Sequence, residues 1–294
     1  ETITVEQVRH AVAELLGRRK AAGDFFPRTG ERLIPAAPAA AKGCADMRVS
    51  IITAVLNGER TIRDCMQSVA DQCYPDIEHV FIDGGSTDGT VDVIRRHDNG
   101  TSRWISEPDE GLYDAMNKGI RLSTGEIVGI LNSDDFYAAP DIIDRVVARM
   151  SVSGAGTCYG DLVYIKRDDP EKYVRYWRSG LYNRNRFRRG WMPPHPTFFV
   201  RRSVYEKYGL FNLAFPLCAD YELMLRLLYR YGVSTVYIPS VMVKMRTGGS
   251  CRPGVRNTLH NMAENYRAWT VNGLRPNLLT FLLKPLSKTM QYVR

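Results

Sequence analysis

The sequence predicts an α/β fold in which a mainly parallel central sheet is flanked by helices. From Met47 onward, short apolar β-rich runs alternate with segments of helical period. That alternation is the pattern of a parallel sheet covered on both faces. Polar clusters close three of the runs: Thr53 with Asn57, residues 83–88, and residues 132–135. In open parallel sheets ligands bind outside the carboxyl ends of the strands, so these clusters are expected to converge on one crevice.

The elements follow in order. Residues 49–55 form the first strand, ending at Asn57-Gly58, and Ile62, Met66 and Val69 mark a helix. Residues 77–82 form the second strand, which runs into the turn Asp83-Gly84-Gly85. A short helix is expected over 90–97 with Asp88 as its cap, then a short strand at Trp104-Ile105. Leu112, Ala115, Met116, Gly119 and Ile120 share one face of a helix over 111–122. The fourth strand, 127–131, ends in Asn132-Ser133-Asp134-Asp135, and Pro140 opens a helix to Met150. Past residue 150 the pattern loosens. Strands are expected at 157–164, 233–238 and 241–245, with a helix over 220–231. Residues 166–202 are strongly basic and interleaved with aromatics.

Three segments of different character are expected: an extension over 1–46, a main domain over 47–250 divided near residue 150, and a basic helical tail over 251–294. The extension holds an amphipathic helix (Val5, Val8, Val12, Leu15, Leu16) and a Pro/Ala-rich linker. The tail contains the apolar run 278–284, which is too short to span a bilayer. It suits either an interfacial helix or one packed on the core.

The 294 residues carry a formal charge of +8, which favours an anionic partner. Six cysteines lie scattered with no C-x-x-C pair, which argues against a zinc or redox motif and for a reducing cytoplasm. The first residues are charged and lack the apolar core of a signal peptide.

Adjacent carboxylates at the end of a buried strand are costly unless a cation sits on them. Hard divalent ions bound to phosphates commonly do so, held by one or two carboxylates. A solvated Asp-Asp turn is the competing reading of Asp134 and Asp135. The turn from Asp83 to Thr90 lacks the G-x-G-x-x-G spacing of a dinucleotide site. A carboxylate there suits a base N–H or a ribose hydroxyl, and a capped glycine-rich turn is the plainer alternative.

Five segments in order resemble the family 2 glycosyltransferases of GT-A fold. They are Val49-Ser50-Ile51-Ile52-Thr53-Ala54-Val55-Leu56-Asn57, then Phe81-Ile82-Asp83-Gly84-Gly85-Ser86-Thr87-Asp88-Gly89-Thr90. Next are Ser106-Glu107-Pro108-Asp109-Glu110-Gly111-Leu112-Tyr113-Asp114-Ala115-Met116-Asn117-Lys118-Gly119 and Leu131-Asn132-Ser133-Asp134-Asp135. Last comes Ala219-Asp220-Tyr221-Glu222-Leu223. The resemblance implies a nucleotide-diphosphate sugar as donor, carried on UDP, GDP or dTDP. It puts Thr53 and Asn57 beside the base, Asp83 on the base, and Asp109 on the nucleotide or donor sugar.

The resemblance also puts Asn132-Ser133-Asp134 in the place of the family's D-x-D, with the first Asp replaced by Asn. Asn132 can still accept a ribose hydrogen bond, and Mn²⁺ or Mg²⁺ then rests on Asp134, with Asp135 as a second candidate. Asp220 matches the family's base, although the acid that precedes it in the fuller motif is Ala219 here. A helix cap is the alternative for Asp220, and Glu222 is the next candidate base. The implied outcome is inversion at the anomeric carbon.

Other residues stay open between two readings. His195, in Pro193-Pro194-His195-Pro196, suits the diphosphate or metal, or a turn held by prolines. Arg246 suits a phosphate clamp or a solvated loop. Lys118 reads as surface. Arg186, Arg188, Arg189 and Trp191 lie in a basic-aromatic stretch suited to an anionic membrane or a lipid-linked saccharide acceptor. Single-stranded nucleic acid can use the same mixture, but no nucleic-acid partner is expected. The expectation is a metal-dependent inverting transferase at the cytoplasmic face of a membrane, serving cell-surface polysaccharide assembly such as that of O-antigen. A nucleotidyltransferase and a non-catalytic binding protein are the rivals.

Overall fold

The computed structural model describes residues 47–98, 100, 102–248 and 255–276. The expected N-terminal helix and linker, and the apolar run of the tail, lie outside the described residues.

Four parallel strands build the first half: β1 (Val49–Val55), β2 (Ile77–Asp83), β3 (Ser102–Ser106) and β4 (Ile127–Ile130), in the order β3-β2-β1-β4. Helices α1 (Ile62–Ala70), α2 (Thr90–His97) and α3 (Leu112–Leu122) connect them. The burial of β1 on both faces explains its continuous apolar run. Val49 and Ile51 pack with Cys65 and Val69 of α1, while Ile52 and Ala54 pack with Ala115, Met116 and Ile120 of α3. Gly119 is required for that second contact, because a Cβ there would overlap the Ile52 side chain.

The sheet continues through β8 (Phe199–Arg201), β6 (Thr157–Lys166), β9 (Thr235–Arg246) and β5 (Phe136–Tyr137), with β7 (Asp169–Trp177) on the side of β6. Strand β8 runs antiparallel to both β4 and β6, so it joins the parallel half to a mixed half. Most paired residues in the sheet are in parallel register.

Three sequence expectations change here. The strands expected at 233–238 and 241–245 are one strand, β9, whose register against β6 shifts between Tyr237 and Val241. Pro239 lies in that interval and has no N–H for the ladder, so the strand bulges rather than ends. Strands β5, β7 and β8 were not expected. Two are very short, and β7 is mostly exposed, so its polar residues masked its period. The helix expected over 220–231 is α-helical as α7 (Ala219–Met224) and then π-helical over Leu225–Arg230.

The remaining helices are α4 (Ile142–Ser153), α5 (Arg184–Phe187), α6 (Arg202–Tyr208) and α8 (Val255–Val271). Trp269 of α8 is buried and donates to the Tyr221 hydroxyl at 2.9 Å, which fixes α8 against α7. Among the described residues no helix is long and apolar enough to cross a membrane.

Candidate active site

The site is built where β1, β2 and β4 end. The two loops after β1 and β2 are stitched together by side chains bonding to backbone. Asn57 Oδ1 accepts from Thr87 N at 2.9 Å, and Asn57 N donates to Ser86 Oγ at 2.8 Å. Gly58 N donates to Thr90 Oγ1 at 2.9 Å. Asn57 takes a left-handed φ of 53°, which Asn tolerates better than most residues.

Asp83, the last residue of β2, is fully buried. Its Oδ2 accepts from Ser106 Oγ at 2.6 Å and from Ser86 N at 3.1 Å. Its Oδ1 is buried and, among the described residues, has no hydrogen-bond partner. A buried carboxylate oxygen left bare is costly, and a ligand donor is the ordinary remedy.

Asp109 approaches from the loop after β3. Its Oδ2 would lie 3.0 Å from a Cβ on Gly84, so that glycine keeps the carboxylate against the end of β2. Its Oδ1 meets Lys118 Nζ at 2.6 Å. Lys118 also reaches Glu107 at 2.9 Å and Asp114 at 3.6 Å. Hydrogen bonds to Asp109 and Glu107 push the Lys118 ammonium pKa upward, so it stays charged. The sequence reading of Lys118 as mere surface missed this role. The signal was present in the acids four, nine and eleven residues before it.

After β4, the sequence pair Asp134-Asp135 separates into two environments. Asp135 is fully buried; its Oδ2 accepts from Asn132 Nδ2 at 2.8 Å, and its Oδ1 from Arg246 N at 3.3 Å. Burial, with the Asp134 charge beside it, holds its pKa well above the usual carboxylate range. The expectation of Asp135 as a metal ligand is therefore corrected: it is an internal brace. Asp134 is partly exposed, and among the described residues its carboxylate takes no hydrogen bond. Among the described residues, no three acidic, His or Cys side chains gather as a ready-made metal cage.

Two further residues need correction. Thr53 does not face a base pocket. Its side chain follows the pleat toward α1, bonding His79 Nε2 at 3.0 Å and lying 3.5 Å from Cys65 Sγ. Burial pushes His79 down to about 3 and the Cys65 thiol up to about 12, so both stay neutral around this hydroxyl. Arg246 is not free for a phosphate. Its Nη1 donates to Asp134 O at 2.9 Å, its Nη2 pairs with Asp64, and the guanidinium lies 4.9 Å from the Phe136 ring centre. It ties the end of β9 to the Asp134 turn.

Asp220 opens α7 and is partly exposed. Its Oδ1 accepts from the Tyr113 hydroxyl at 3.1 Å and from Tyr221 N at 2.8 Å. Among the described residues its Oδ2 has no hydrogen-bond partner. Tyr113 stacks on Phe211 with ring centres 5.4 Å apart, and His195 meets the edge of the same ring at 5.6 Å. Burial lowers the His195 pKa, while the Asp220 charge pulls it the other way. His195 thus lies within electrostatic reach of Asp220. Glu222 is withdrawn from chemistry: it is buried, chelated by Arg226 Nε and Nη2 at 3.1 and 3.0 Å, and bonded by Asn272 Nδ2 at 2.9 Å.

The contacts link these pieces into one crevice. A Cβ on Gly58 would lie 3.4 Å from Ser133 Oγ, Gly84 abuts Asp109, and Asp109 is joined through Lys118 to the helix that carries Tyr113. The basic-aromatic stretch is divided between inside and outside. Arg186 Nη1 donates to Leu181 O at 2.8 Å and Ser179 O at 3.0 Å, and Trp191 Nε1 donates to Ser179 O at 2.9 Å. These two brace the segment, a correction to their expected role in acceptor or membrane contact. Arg188 and Arg189 are exposed, with Arg188 also donating to the Tyr229 hydroxyl at 2.8 Å. A cavity of about 370 Å³ lined by residues including Arg63, Ile77, His79 and Ser102 lies toward the amino ends of β2 and β3, away from this chemistry.

The family described as Glycosyl transferase family 2 matches residues 50–209. The chain is 33% identical over 180 residues to an uncharacterized glycosyltransferase of Mycobacterium tuberculosis, covering 60% of this chain and 68% of that protein. It is 30% identical over 216 residues to a PGL/p-HBAD biosynthesis glycosyltransferase of the same species, covering 71% and 79%. Among solved structures, S. aureus TarS 1-349 in complex with UDP-GlcNAc aligns at TM-score 0.59 and 15% identity, covering 82% of this chain and 73% of that one. The chain spans only 44% of the longer TarS structure. The mannosyltransferase PcManGT from Pyrobaculum calidifontis, in complex with GDP-Man and Mn²⁺, aligns at TM-score 0.57 and 16% identity, covering 95% and 76%. Sequence and fold agree, and the chain belongs to glycosyl transferase family 2 as a glycosyltransferase of GT-A fold.

Proposed function

We propose that the enzyme moves a sugar from a nucleotide-diphosphate donor to a hydroxyl of a saccharide acceptor, with inversion at the anomeric carbon. The observation that carries this reading is the bare, buried Oδ1 of Asp83 at the carboxyl end of β2. A donor nucleobase N–H satisfies it. Asn132 and Asp109 stand around the same crevice to meet ribose and donor. The solved relatives bound to UDP-GlcNAc and to GDP-Man with Mn²⁺ support a donor of this class.

The residues present fit a divalent ion. Asp134 offers one uncommitted carboxylate, and such ions commonly take one or two carboxylates with substrate phosphates and water completing the shell. When bound, the ion would neutralise the charge that builds on the departing diphosphate. The protein's own part lies with Asp220. Its free Oδ2 takes the proton from the acceptor hydroxyl, whose oxygen forms the new bond to the anomeric carbon as the bond to the diphosphate breaks. The acceptor in this reading is a lipid-linked saccharide of cell-surface glycan assembly, met at the cytoplasmic face of the membrane; the relative named for PGL/p-HBAD biosynthesis supports a biosynthetic sugar transfer.

A panel of UDP-, GDP- and dTDP-sugars tests this, read by thermal shift and by slow nucleotide release without acceptor, in Mn²⁺, Mg²⁺ or EDTA. One donor should stabilise the protein only with metal. Asp134→Ala should lose that stabilisation, and Asp83→Asn should weaken it by about ten- to a hundredfold, as expected for a hydrogen bond to a charged group. Equal donor affinity in EDTA and in Asp134→Ala would overturn the metal reading.

A further inference from the structure

The geometry points to Tyr113 as the positioning residue for the general base, joining the donor half of the site to Asp220. The inference rests on the proposed role of Asp220. Tyr113 belongs to the second residue of α3, whose Lys118 holds Asp109 at the donor side. Its hydroxyl crosses to the other half and shares its single proton between Asp220 Oδ1 at 3.1 Å and Leu217 O at 3.3 Å. Leu217 lies in the short turn that leads into α7, and Asp220 in the first turn of that helix.

The turn is tied to its surroundings by side chains from other elements, the Cys218 thiol donating to Asn261 Oδ1 at 3.4 Å. Its N-cap, Cys218, contributes no side-chain cap, and the Leu217 side chain is exposed. From the far side, Glu264 of α8 accepts from Leu217 N at 3.1 Å and Cys218 N at 2.9 Å. Tyr113 and Glu264 thus hold the Leu217–Cys218 peptide unit from its two sides, Tyr113 at the carbonyl and Glu264 at the N–H. Of the two, Tyr113 alone also touches the carboxylate, at Oδ1. Together with Tyr221 N, which donates to the same oxygen at 2.8 Å, it fixes the rotation of the carboxyl group and leaves Oδ2 as the oxygen available to the acceptor hydroxyl. Burial, reinforced by the Asp220 charge, pushes the Tyr113 phenol upward, so it remains a donor throughout the working pH range. Its ring stays seated on Phe211 whatever the hydroxyl does.

The test is Tyr113→Phe in the full chain, alone and combined with Asp220→Asn. Release of nucleoside diphosphate is measured with the UDP-, GDP- or dTDP-sugar that the panel identifies. Phe keeps the stack on Phe211, so the thermal midpoint should hold. Turnover should fall about tenfold or more while the donor KM stays within about twofold, the split expected when an interaction serves chemistry and not binding. In the Asp220→Asn background the same change should cost nothing further, because residues acting as one unit are not additive. Wild-type turnover in Tyr113→Phe, with Asp220→Asn inactive, overturns the positioning role and leaves the base intact. Independent, additive losses overturn it as well. Near-normal turnover in Asp220→Asn removes the base reading and this inference with it.

Discussion

The two halves of the molecule place their candidate site carboxylates by different means. In the parallel half, Asp83, Asp109 and Asp134 stand at or just beyond strand ends, where topology alone brings them together. In the mixed half, Asp220 stands on a short helix far along the chain. Its place is set by side-chain contacts to Tyr113 and, through the preceding turn, to Glu264. A strand-end residue is placed by the ladder of its own sheet, whereas Asp220 is placed by the packing of the buried face of α7 and by side chains that reach it from other elements. The first half is accordingly expected to tolerate single substitutions structurally while losing binding, and the second to lose turnover from small displacements.

The largest effect is expected from Asp220→Asn. The amide keeps the shape and most of the capping ability but not the basicity. Turnover should fall by roughly 10²–10⁴-fold with little change in donor affinity. Retained turnover would place the base elsewhere, and the buried, chelated Glu222 is a poor successor.

A second test concerns stability in the parallel half. His79 has its pKa lowered by burial to about 3, against an ordinary value near 6.5. The unfolded chain therefore binds a proton that the folded chain refuses between those values. The sign follows: this contribution is present above about pH 6.5 and is lost as pH falls toward about 3. His79→Gln keeps a polar partner for Thr53 and removes the titration. The fall in thermal midpoint between pH 6.5 and 4 should be visibly shallower in the variant. An unchanged slope would mean that His79 is not the group whose protonation loosens the sheet.

The smallest expected effect separates the inner from the outer arginines of the basic-aromatic stretch. Replacing Arg188 and Arg189 with Ser should weaken binding to anionic vesicles by roughly fivefold each, from about 1 kcal/mol per basic side chain near such a surface. Donor binding should survive. Arg186→Ser should instead lower the thermal midpoint, because Arg186 spends its guanidinium on Ser179 O and Leu181 O. Vesicle binding unaffected by the outer pair would remove the membrane contact from the proposal.

Most of the donor half was legible because its signals are periodic and local. Residues 49–55 and 77–83 alternate with helical segments, and each run ends in the residue that matters, so strand and site are read in one pass. What misled was the direction of side chains. Thr53 lies at the right end of the right strand, but the pleat points it at His79 and Cys65. Asp134 and Asp135 are neighbours in sequence with opposite fates, because consecutive residues in a turn diverge: Arg246 meets the carboxylate of Asp135 but only the backbone carbonyl of Asp134. Lys118 looked like any polar helix residue until its three acids converged on it.

The sequence by itself determined the fold class, the order of the strands' polar ends and the identity of the acids that surround the crevice. These follow from hydrophobic period and from the rule that parallel sheets bind at their carboxyl ends. Only the tertiary structure decided which oxygen of each acid is free. Asp83 keeps Oδ1 bare, Asp220 keeps Oδ2, and Asp135 keeps neither. The reason is physical: a carboxylate's availability depends on donors that reach it from distant parts of the chain. Ser106, Tyr113 and Arg246 lie 23, 107 and 111 residues from the acids they engage.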